Sequence, residues 1–576
     1  MKSTTPGTRI AWYSLACVLA VFTYFYGLGS QHIPKNGDEY PYEHITRLTA
    51  GSGKLLPLQS QLDNMRNTKP PLLFWQGIAS THGGQHWALW DLRYPSVIYT
   101  LLTAAMLLML GWKLSAQIET GCIAALTFLA FFTTYRFGRP FLTNAPEVFW
   151  LFLPFFVLLY WRQTFQSRWI VPVLLGISIG IAFLYKSFAL GLPVTLGLCG
   201  WYLQQRQYRV LAFIKQDALK VFIAIGVALA MFALWFALDP DPQAVWKEFV
   251  VGENVGKFDP HGPSYLAKLL WGGSSVWSFT AAFLTNAGLL TFIVIALFVV
   301  AVRQRHNMRS EQRLLWIWVA ALFFSFCLPS QRSGRYLLAA MPAVALLCAL
   351  DWQHISRKVF VATLILCGAL LLGLALLAAR LQSEIGDAHL FPSSFWLLLI
   401  GSGMLLLAAI VFPGFTRPAV NVVALLVLLS FAAFLRPLDD TLANYSSGAQ
   451  RYAQGKTVAV PCNFRAHDEG HRFLLPGANI VGYQESQNLS VTQLAERYSL
   501  FAVQLPLQSS VAGSGCAECK IIGQRLDIRG RQSDEELRDM FFHGRFFEHL
   551  FIREVLMASS VTPKQIPPHT LAEVCR

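Results

Sequence analysis

Charged side chains are scarce in this sequence. Asp, Glu, Lys and Arg make up 14% of its 576 residues, whereas 54% are hydrophobic, and the mean hydropathy is +0.45. One soluble core cannot hide apolar side chains in this proportion, and typical soluble domains carry about 25% charged residues. The composition therefore excludes an ordinary soluble protein and predicts a polytopic membrane protein.

Strict alternation of apolar and polar residues is also missing from the hydrophobic runs, which are rich in Leu, Ala, Phe and Gly. This absence argues against a barrel and predicts transmembrane helices, because a backbone in lipid must satisfy its own hydrogen bonds. About thirteen runs are long enough to cross a bilayer. They occupy about 10–29, 94–112, 117–134, 146–161, 169–185, 187–204, 221–238, 276–302, 314–328, 336–351, 359–380, 394–413 and 419–435.

No internal repeat is visible in the sequence, which argues against many transporter folds. No small-residue cleavage site follows Gly29, which argues against a cleaved signal peptide. When the N-terminus is placed inside, Lys and Arg concentrate in the inward segments, which carry most of the net charge of +14. The positive-inside rule therefore predicts a cytoplasmic N-terminus and, for an odd number of spans, a C-terminus outside the membrane. Topology explains the basic excess without a nucleic-acid partner.

Two polar regions interrupt the hydrophobic pattern. We predict a transmembrane domain over 1–435, in which the periplasmic loop 30–93 holds catalytic residues and amphipathic helices, and a soluble periplasmic α/β-type domain over 436–576. In the second domain, short apolar runs predict three strands, and one longer segment predicts a helix. The strand-like runs are 458–460, 480–481 and 501–505, and the helical segment is 533–557.

Cysteine is infrequent, and six of the ten cysteines lie in apolar runs, where a thiol usually serves as a small buried hydrophobe. The other four predict one or two disulfides in an oxidising compartment, without fixing their pairing. These four are Cys462, Cys516, Cys519 and Cys575. A zinc site at Cys516 and Cys519 is the alternative, although no second pair with metal-ligand spacing accompanies them.

Unusual polar residues collect at the outward ends of the predicted helices. Asp38 and Glu39 follow the first span, where a carboxylate can act as a general base. Lys69 precedes two prolines at the entrance to an apolar stretch, where an ammonium group can stabilise a departing phosphate. The alternatives are an acidic pair favoured by the dipole of a helix start and a lysine that reaches the lipid headgroups.

The fourth span opens with Asn144 and Glu147, and Arg139 precedes it, which suggests a second wall of the same cavity. Lys186 interrupts a long apolar stretch, where a charge is costly enough to indicate function. Helix capping is the alternative for Asn144, and headgroup contact is the alternative for Lys186.

The tenth span begins with Arg332, Arg335 and Tyr336, and two guanidinium groups suit bidentate recognition of phosphate. His261 lies in an outward loop and is a further candidate for the cavity. Ordinary headgroup contact and simple solvation are the alternatives for the arginines and the histidine.

This arrangement resembles the C-type polyprenyl-phosphate-sugar glycosyltransferases, which include the protein O-mannosyltransferases and the lipid A 4-amino-4-deoxy-L-arabinose transferases. The layout of spans and outer domain most closely resembles the aminoarabinose transferases. The pair at 38–39 is similar to the family's acidic motif, 67–71 to its Lys-Pro-Pro motif, 183–193 to its lysine-containing stretch, and 335–342 to its Arg-Tyr motif with a downstream proline.

Two positions depart from that family pattern. An arginine usually follows the acidic pair, where this chain has Tyr40-Pro41-Tyr42, and an aspartate usually stands where this chain has Asn144. An amide cannot act as a base. Glu147, one helical turn later, is a candidate for the second acidic role, and a divergent branch with another sugar or acceptor is the alternative.

The resemblance implies an inverting glycosyltransferase of a bacterial inner membrane. It would move 4-amino-4-deoxy-L-arabinose or another aminosugar from a polyprenyl phosphate, such as undecaprenyl phosphate, to lipid A or a related acceptor at the outer face. The implied catalytic residues are Asp38, Glu39, Asn144 and Glu147; the donor-phosphate residues are Lys69, Lys186, Arg332, Arg335 and Tyr336; and Arg139 and His261 line the cavity.

The implied chemistry needs no redox cofactor and leaves a divalent metal ion open. We expect a monomer that contacts membrane lipids. A protein O-glycosyltransferase of the same superfamily and a lipid or sugar transporter are the alternative functions. A membrane-anchored binding or sensory protein is a third, although about thirteen spans exceed what an anchor requires.

Overall fold

The computed structural model describes residues 6–34, 36–62, 65–162, 169–257, 265–463, 465–487, 489–507, 516, 518–529 and 532–560. His261 and Cys575, which the sequence singles out, lie outside these residues.

Helices build the part of the chain before residue 443. The earlier ones are α1 Pro6–Phe25, α2 Glu39–Gly51, α3 Leu72–Ser80, α4 Leu89–Ser115, α5 Ile118–Ala130, α6 Phe132–Phe137, α7 Asn144–Tyr160, α8 Ile170–Tyr185 and α9 Gly191–Gln205. The later ones are α10 Val210–Gln216, α11 Ala218–Leu238, α12 Pro242–Ala244, α13 Tyr265–Leu270, α14 Val276–Thr285, α15 Thr291–Arg303, α16 Ser310–Cys327, α17 Met341–Leu350, α18 Arg357–Ile385, α19 Ser393–Val411 and α20 Pro413–Pro437. Short π-helical segments cover Val245–Asn254 and Leu438–Leu442, and 3-10 turns cover Phe188–Leu190, Val255–Lys257, Gly288–Leu290 and Gly334–Ala340.

A helix occupies most of each hydrophobic run predicted from the sequence. Among the described residues, five helices are long and apolar enough to cross a membrane alone, and a sixth candidate is the pair of helices around Gly288, bent by 101°. Several further apolar helices have 10–17 residues. The helical membrane protein is therefore confirmed, and the number of thirteen spans stays a prediction.

Close helix pairs depend on glycine where two backbones meet. A Cβ atom on Gly121 of α5 would lie 2.2 Å from the carbonyl oxygen of Leu108 in α4. A Cβ atom on Gly176 of α8 would lie 2.5 Å from the carbonyl oxygen of Ala224 in α11. Small residues of this kind allow the close packing that replaces hydrophobic driving force inside a membrane.

The loop between the first two long helices is folded onto the helix ends. Helix α2 buries Tyr42 and Ile45, which cluster with Phe74 of α3, Leu92 of α4 and Phe141 before α7. The amphipathic pattern of the loop therefore produces a helix whose apolar face packs on protein. This packing holds both ends of the loop, and with them the acidic pair and the Lys-Pro-Pro motif, against the bundle.

A five-stranded sheet forms the C-terminal part. Its elements are α21 Ser447–Ala453, β1 Thr457–Cys462, α22 Glu469–Leu474, β2 Asn479–Gln484, α23 Val491–Arg497, β3 Leu500–Leu505, β4 Cys519–Ile528, α24 Asp534–His543, α25 Phe546–Leu550 and β5 Phe551–Ser559. The strand order is β2-β1-β3-β5-β4, with β1 parallel to β2 and β3, and β5 antiparallel to β3 and β4. The three predicted strands are present.

The helix predicted over 533–557 is wrong in its second half. Helix α24 begins as expected, with a capping box between Ser533 and Glu536, but it ends at Gly544, which adopts a left-handed φ of 70°. The short helix α25 follows, and Phe551–Ser559 then forms β5, which pairs with strands on both sides. Short apolar runs do not distinguish strand from helix by themselves, and these non-local partners decide the outcome.

Replacing Gly121 by Ala should destabilise the bundle, because the added Cβ atom overlaps the backbone of α4 and overpacking costs about 1–3 kcal/mol. The matched control is Gly226→Ala in α11, where nothing lies within 4 Å of the added atom and helix propensity favours alanine. Thermal unfolding in detergent should show a lower Tm for the first variant only. Equal melting of the two variants would contradict the close approach.

Candidate functional site

Asp38 and Arg335 meet at one end of the helical bundle. Asp38 immediately precedes α2, and Arg335 lies in the 3-10 turn before α17; Arg335 Nη1 donates to Asp38 Oδ2 at 2.5 Å. The Asp38 side chain remains 40% exposed. A carboxylate that is both exposed and held by one guanidinium can exchange partners when a ligand arrives.

A second ion pair lies deeper. Lys186, directly after α8, donates from Nζ to Glu147 Oε2 of α7 at 2.5 Å, and Glu147 is only 2% exposed at its side chain. The Lys186 ammonium also stands 5.5 Å from the centre of the Tyr336 ring. Such cation–π contact and pairing make a buried charge tolerable.

Lys69 forms the third pair. Its Nζ donates to Glu253 Oε2 at 3.1 Å, and Thr68 Oγ1 donates to Glu253 Oε1 at the same distance. Glu248 accepts from both the backbone N–H and the side-chain amide of Asn67. The segment 245–257 therefore clamps the Asn67–Lys69 stretch through two carboxylates, neither of which the sequence suggested for the site.

These three pairs share one region. Arg335 and Lys69 are both close enough to act electrostatically on Lys186, and Arg335 also acts on Glu147. Three cations and three carboxylates thus neutralise one another at a helix-end cluster. A phosphate group brings negative charge and several acceptor oxygens, so it can take these cations from their carboxylate partners.

Glu39 has a different environment from its neighbour Asp38. It is 2% exposed and accepts two hydrogen bonds from Arg93 of α4, from Nε at 2.8 Å and from Nη2 at 2.9 Å. Its Oε1 also accepts the backbone N–H of Phe141 at 2.7 Å. Glu39 is therefore saturated by protein donors, and this geometry favours a positioning role over direct catalysis. The sequence carries no signal for Arg93, which is a lone arginine near a helix start.

Two of the predicted arginines are turned towards the backbone. Arg139 is buried and donates to the carbonyl oxygens of Tyr24 and Tyr26. Arg332 donates from Nε to the Cys327 carbonyl at 2.8 Å and from Nη1 to the Ser274 carbonyl at 2.6 Å. Both side chains brace loops at the helix ends in this structure.

Asn144 is buried at the start of α7, and its Nδ2 has no hydrogen-bond partner among the described residues. The N-cap position of α7 is occupied by Thr143 and not by Asn144, so capping does not account for the asparagine. The neighbouring Glu147 instead supplies the carboxylate that faces Lys186.

The loop 30–93 is also anchored to the C-terminal sheet domain. Glu469 of α22 is fully buried and accepts from His44 Nδ1 at 2.8 Å and Arg47 Nε at 3.0 Å, both on α2, and from Arg472 Nε at 3.0 Å. Burial raises the pKa of Glu469, but these hydrogen bonds and positive charges outweigh it and hold the pKa well below its usual range. Helix α2, and hence Asp38, is thereby fixed from two sides.

Three of the cysteines after residue 436 are disulfide-bonded. Cys516 and Cys519 are bonded to each other, which leaves no thiolate pair there for zinc. Cys462 at the end of β1 is also disulfide-bonded.

Within the described part of the chain, no group of three or more His, Cys, Asp or Glu side chains is arranged to hold a metal ion.

The chain is similar to several known proteins over the region that contains this site. A profile of the dolichyl-phosphate-mannose-protein mannosyltransferase family matches residues 36–246. Curated relatives include undecaprenyl phosphate-alpha-4-amino-4-deoxy-L-arabinose arabinosyl transferase 1 of Sodalis glossinidius, 25% identical over 60% of each chain, and transferase 2 of Proteus mirabilis, 23% identical over 60% of each chain. The chain thus aligns with about 60% of the length of these relatives.

The crystal structure of ArnT from Cupriavidus metallidurans bound to undecaprenyl phosphate superposes with a TM-score of 0.62 at 15% identity, covering 97% of this chain and 100% of that one. The apo form of the same protein gives a TM-score of 0.57 at 16% identity, covering 96% and 99%. The chain has the ArnT fold. The resemblance to polyprenyl-phosphate-sugar glycosyltransferases seen in the sequence is confirmed.

The matched family region contains Asp38, Lys69, Glu147 and Lys186, whereas Arg335 reaches the same cluster from much later in the chain. The ArnT-like fold therefore brings two distant parts of the sequence together at this site.

Replacing Lys186 by Met should leave Glu147 buried without a partner and lower stability by about 3–5 kcal/mol. The double variant Lys186→Met with Glu147→Gln removes both charges and should recover most of the lost Tm. A double-mutant cycle of thermal unfolding measures this coupling. Additive losses in the double variant would contradict the buried pair.

Replacing Glu469 by Gln should lower stability near pH 7 by on the order of 3 kcal/mol, because three basic side chains lose their common acceptor. The depressed pKa means that this stabilisation is present above the unfolded value of about 4.3 and is lost as the pH falls through the folded pKa. The Tm gap between wild type and variant should therefore stay constant from pH 7 to about pH 5 and shrink in more acidic solution.

The matched control for this change is Glu535→Gln at an exposed position of α24, which should leave the Tm unchanged. A gap that widens on acidification would contradict the proposed ionised state of Glu469.

Proposed function

We propose that the protein is an inverting glycosyltransferase that moves a sugar from a polyprenyl-phosphate donor to lipid A or a related acceptor at the outer face of a bacterial inner membrane. The observation that carries this proposal is the convergence of Lys69, Lys186 and Arg335 at a helix-end cluster that also contains the exposed Asp38. The names of the curated relatives supply the sugar, 4-amino-4-deoxy-L-arabinose.

On the donor side, the three cations bind the phosphate that links the sugar to the lipid. As the bond between the anomeric carbon and the phosphate oxygen breaks, the electron pair leaves with the phosphate. Fixed positive charges in a site of low dielectric stabilise that developing charge more strongly than water does. Tyr336 lies beside Lys186 and helps to hold the ammonium in place for the donor. Arg332 supports the same wall through backbone contacts.

On the acceptor side, Asp38 takes the proton from the attacking acceptor oxygen, which forms the new bond to the anomeric carbon from the opposite face. Arg335 links the two halves of the reaction, since it holds Asp38 in the structure described here. When donor phosphate engages Arg335, the Asp38 carboxylate becomes free to accept a proton. This exchange couples donor binding to activation of the base.

The proposed topology places the N-terminus in the cytoplasm and the sheet domain, over 436–576, in the periplasm. The grouping of the ion pairs near the ends of α7, α8 and α17 supports a site at one membrane boundary. A transporter would place its binding groups near the bilayer midplane instead. We propose that the protein acts as a monomer.

Protein acceptors are a second candidate, favoured by the match to the protein mannosyltransferase profile. That match lies over 36–246, which holds the acidic pair and both lysines of the donor side. The match therefore supports the donor chemistry that the two families share. An activity assay has to decide between the two kinds of acceptor.

Replacing Asp38 by Asn should lower kcat by about 10²- to 10⁴-fold, because an amide cannot take up the acceptor proton. Transfer is measured with purified protein, undecaprenyl-phosphate aminoarabinose and lipid A, by mass spectrometry of the product. Asp534→Asn, at an exposed helix start in the sheet domain, is the matched control and should keep full activity. Normal turnover of the Asp38 variant would refute the base, and absence of transfer by the wild type with every acceptor tried would refute the function.

A further inference from the structure

A polar and aromatic cavity of about 550 Å³ lies where the outward ends of α1 and α20 meet the start of α4 and the sheet domain. This volume falls in the usual range of about 300–1,000 Å³ for small-molecule sites. Its lining includes Phe25, Trp90, Arg436, Asp440 and Asn444. None of these residues belongs to the ion-pair cluster around Asp38.

The lining combines flat apolar surfaces with planar polar groups. Trp90 is 44% exposed, and its ring lies 5.6 Å from that of Phe25. Trp87 and Phe473, which also line the cavity, stack nearly parallel. Sugar rings present apolar C–H faces that pack on aromatic rings, and hydroxyl groups that pair with carboxylate, amide and guanidinium groups. This mixture therefore suits a saccharide.

Arg436 adds a place for an anion. Its Nε donates to Asp440, and a guanidinium group has five N–H donors in total. The Arg436 side chain is 43% exposed, and the Asp440 side chain is 49% exposed. A phosphate on the saccharide can share the guanidinium with Asp440, as arginine commonly binds phosphate by its fork of donors.

Phe25, which lines the cavity, lies on the same face of α1 as an exposed apolar stripe. Leu15, Val18 and Phe22 are all exposed and recur at spacings that place them on one helix face. An exposed tryptophan beside such a stripe is typical of the membrane–water boundary. Acyl chains on this stripe would place a lipid headgroup at the cavity, which favours a lipid-linked saccharide over a free sugar.

The cavity wall is connected to the catalytic loop. Leu28 and Ser30 line it, and their carbonyl oxygens accept from Arg93 Nη1 at 3.1 Å and 2.6 Å. The same guanidinium group holds Glu39, the residue next to Asp38. A headgroup in the cavity therefore lies against the loop whose far side carries the proposed base.

We infer that this cavity binds the phosphorylated sugar headgroup of the glycolipid acceptor. The inference rests on the proposed function for the identity of that glycolipid, and it assigns acceptor recognition to residues separate from the donor cluster. Trp90 supplies the stacking surface, and Arg436 with Asp440 and Asn444 supplies the polar contacts.

Binding of lipid A to the Asp38→Asn protein, without donor, tests the inference. In native mass spectrometry, Trp90→Ala in this background should weaken the Kd about tenfold, as expected for loss of an aromatic contact of about 1.4 kcal/mol. Trp90→Phe keeps a ring and should restore most of the binding. Trp112→Ala, at a tryptophan of α4 that is 51% exposed at the other end of that helix, is the matched control and should have no effect.

Two further probes identify what is recognised. Glucosamine 1-phosphate should compete with lipid A, whereas phosphatidylglycerol, which has a phosphate but no sugar, should bind the Trp90→Ala and parent proteins equally. Three results would each overturn the inference. Lipid A binding could be unchanged after Trp90→Ala, or glucosamine 1-phosphate could fail to compete. Phosphatidylglycerol binding could also fall as much as lipid A binding after Trp90→Ala.

The same experiment separates this inference from the proposed function. A wild type that transfers no sugar but loses lipid A binding on Trp90→Ala would refute the transferase and retain the cavity as a glycolipid site. A wild type that transfers sugar with an unchanged KM for lipid A after Trp90→Ala would retain the transferase and refute the cavity.

Discussion

The ion pair between Glu39 and Arg93 is the contact on which the geometry of the site depends. It is buried, bidentate and supplemented by the N–H of Phe141 and the carbonyl oxygens of Leu28 and Ser30. Because a buried charge without a partner costs several kcal/mol, this network allows one arrangement of the loop 28–39 relative to α4 and the start of α7. Asp38 can then be exposed, because the neighbouring Glu39 is held in the protein interior.

The candidate site follows a consistent electrostatic design. Lys69, Lys186 and Arg335 each have one carboxylate partner, from Glu253, Glu147 and Asp38. Neutral pairing keeps the charges tolerable beside a membrane while no ligand is bound. The same pairing leaves cations that an incoming phosphate can recruit. In the proposed reaction, phosphate oxygens of the donor therefore replace these carboxylates as partners of the three cations.

Much of the helical fold and several residues of the candidate site could be predicted from the sequence. Hydrophobic run length is a strong signal, so the helices of the bundle were predicted along almost the whole chain. The pairing of Asp38 with Arg335 across 297 positions could not be read from spacing, although both residues were candidates. Glu253 is not among the candidates from the sequence, since its role arises from contact with the distant Lys69. Arg139 and Arg332 drew attention as arginines at helix ends, but the chain uses them to satisfy backbone carbonyl groups. In the sheet domain, β5 was mistaken for helix because its partners lie elsewhere in the chain.

The central claim is that Lys69, Lys186 and Arg335 together bind the phosphate of a polyprenyl lipid. A structure of the purified protein with undecaprenyl phosphate, determined by electron cryomicroscopy, tests it most directly. We predict phosphate oxygens within about 3 Å of both lysine Nζ atoms and of the Arg335 guanidinium, with Asp38 released from Arg335. Phosphate density away from this cluster, with the three cations still paired to their carboxylates, would contradict the account.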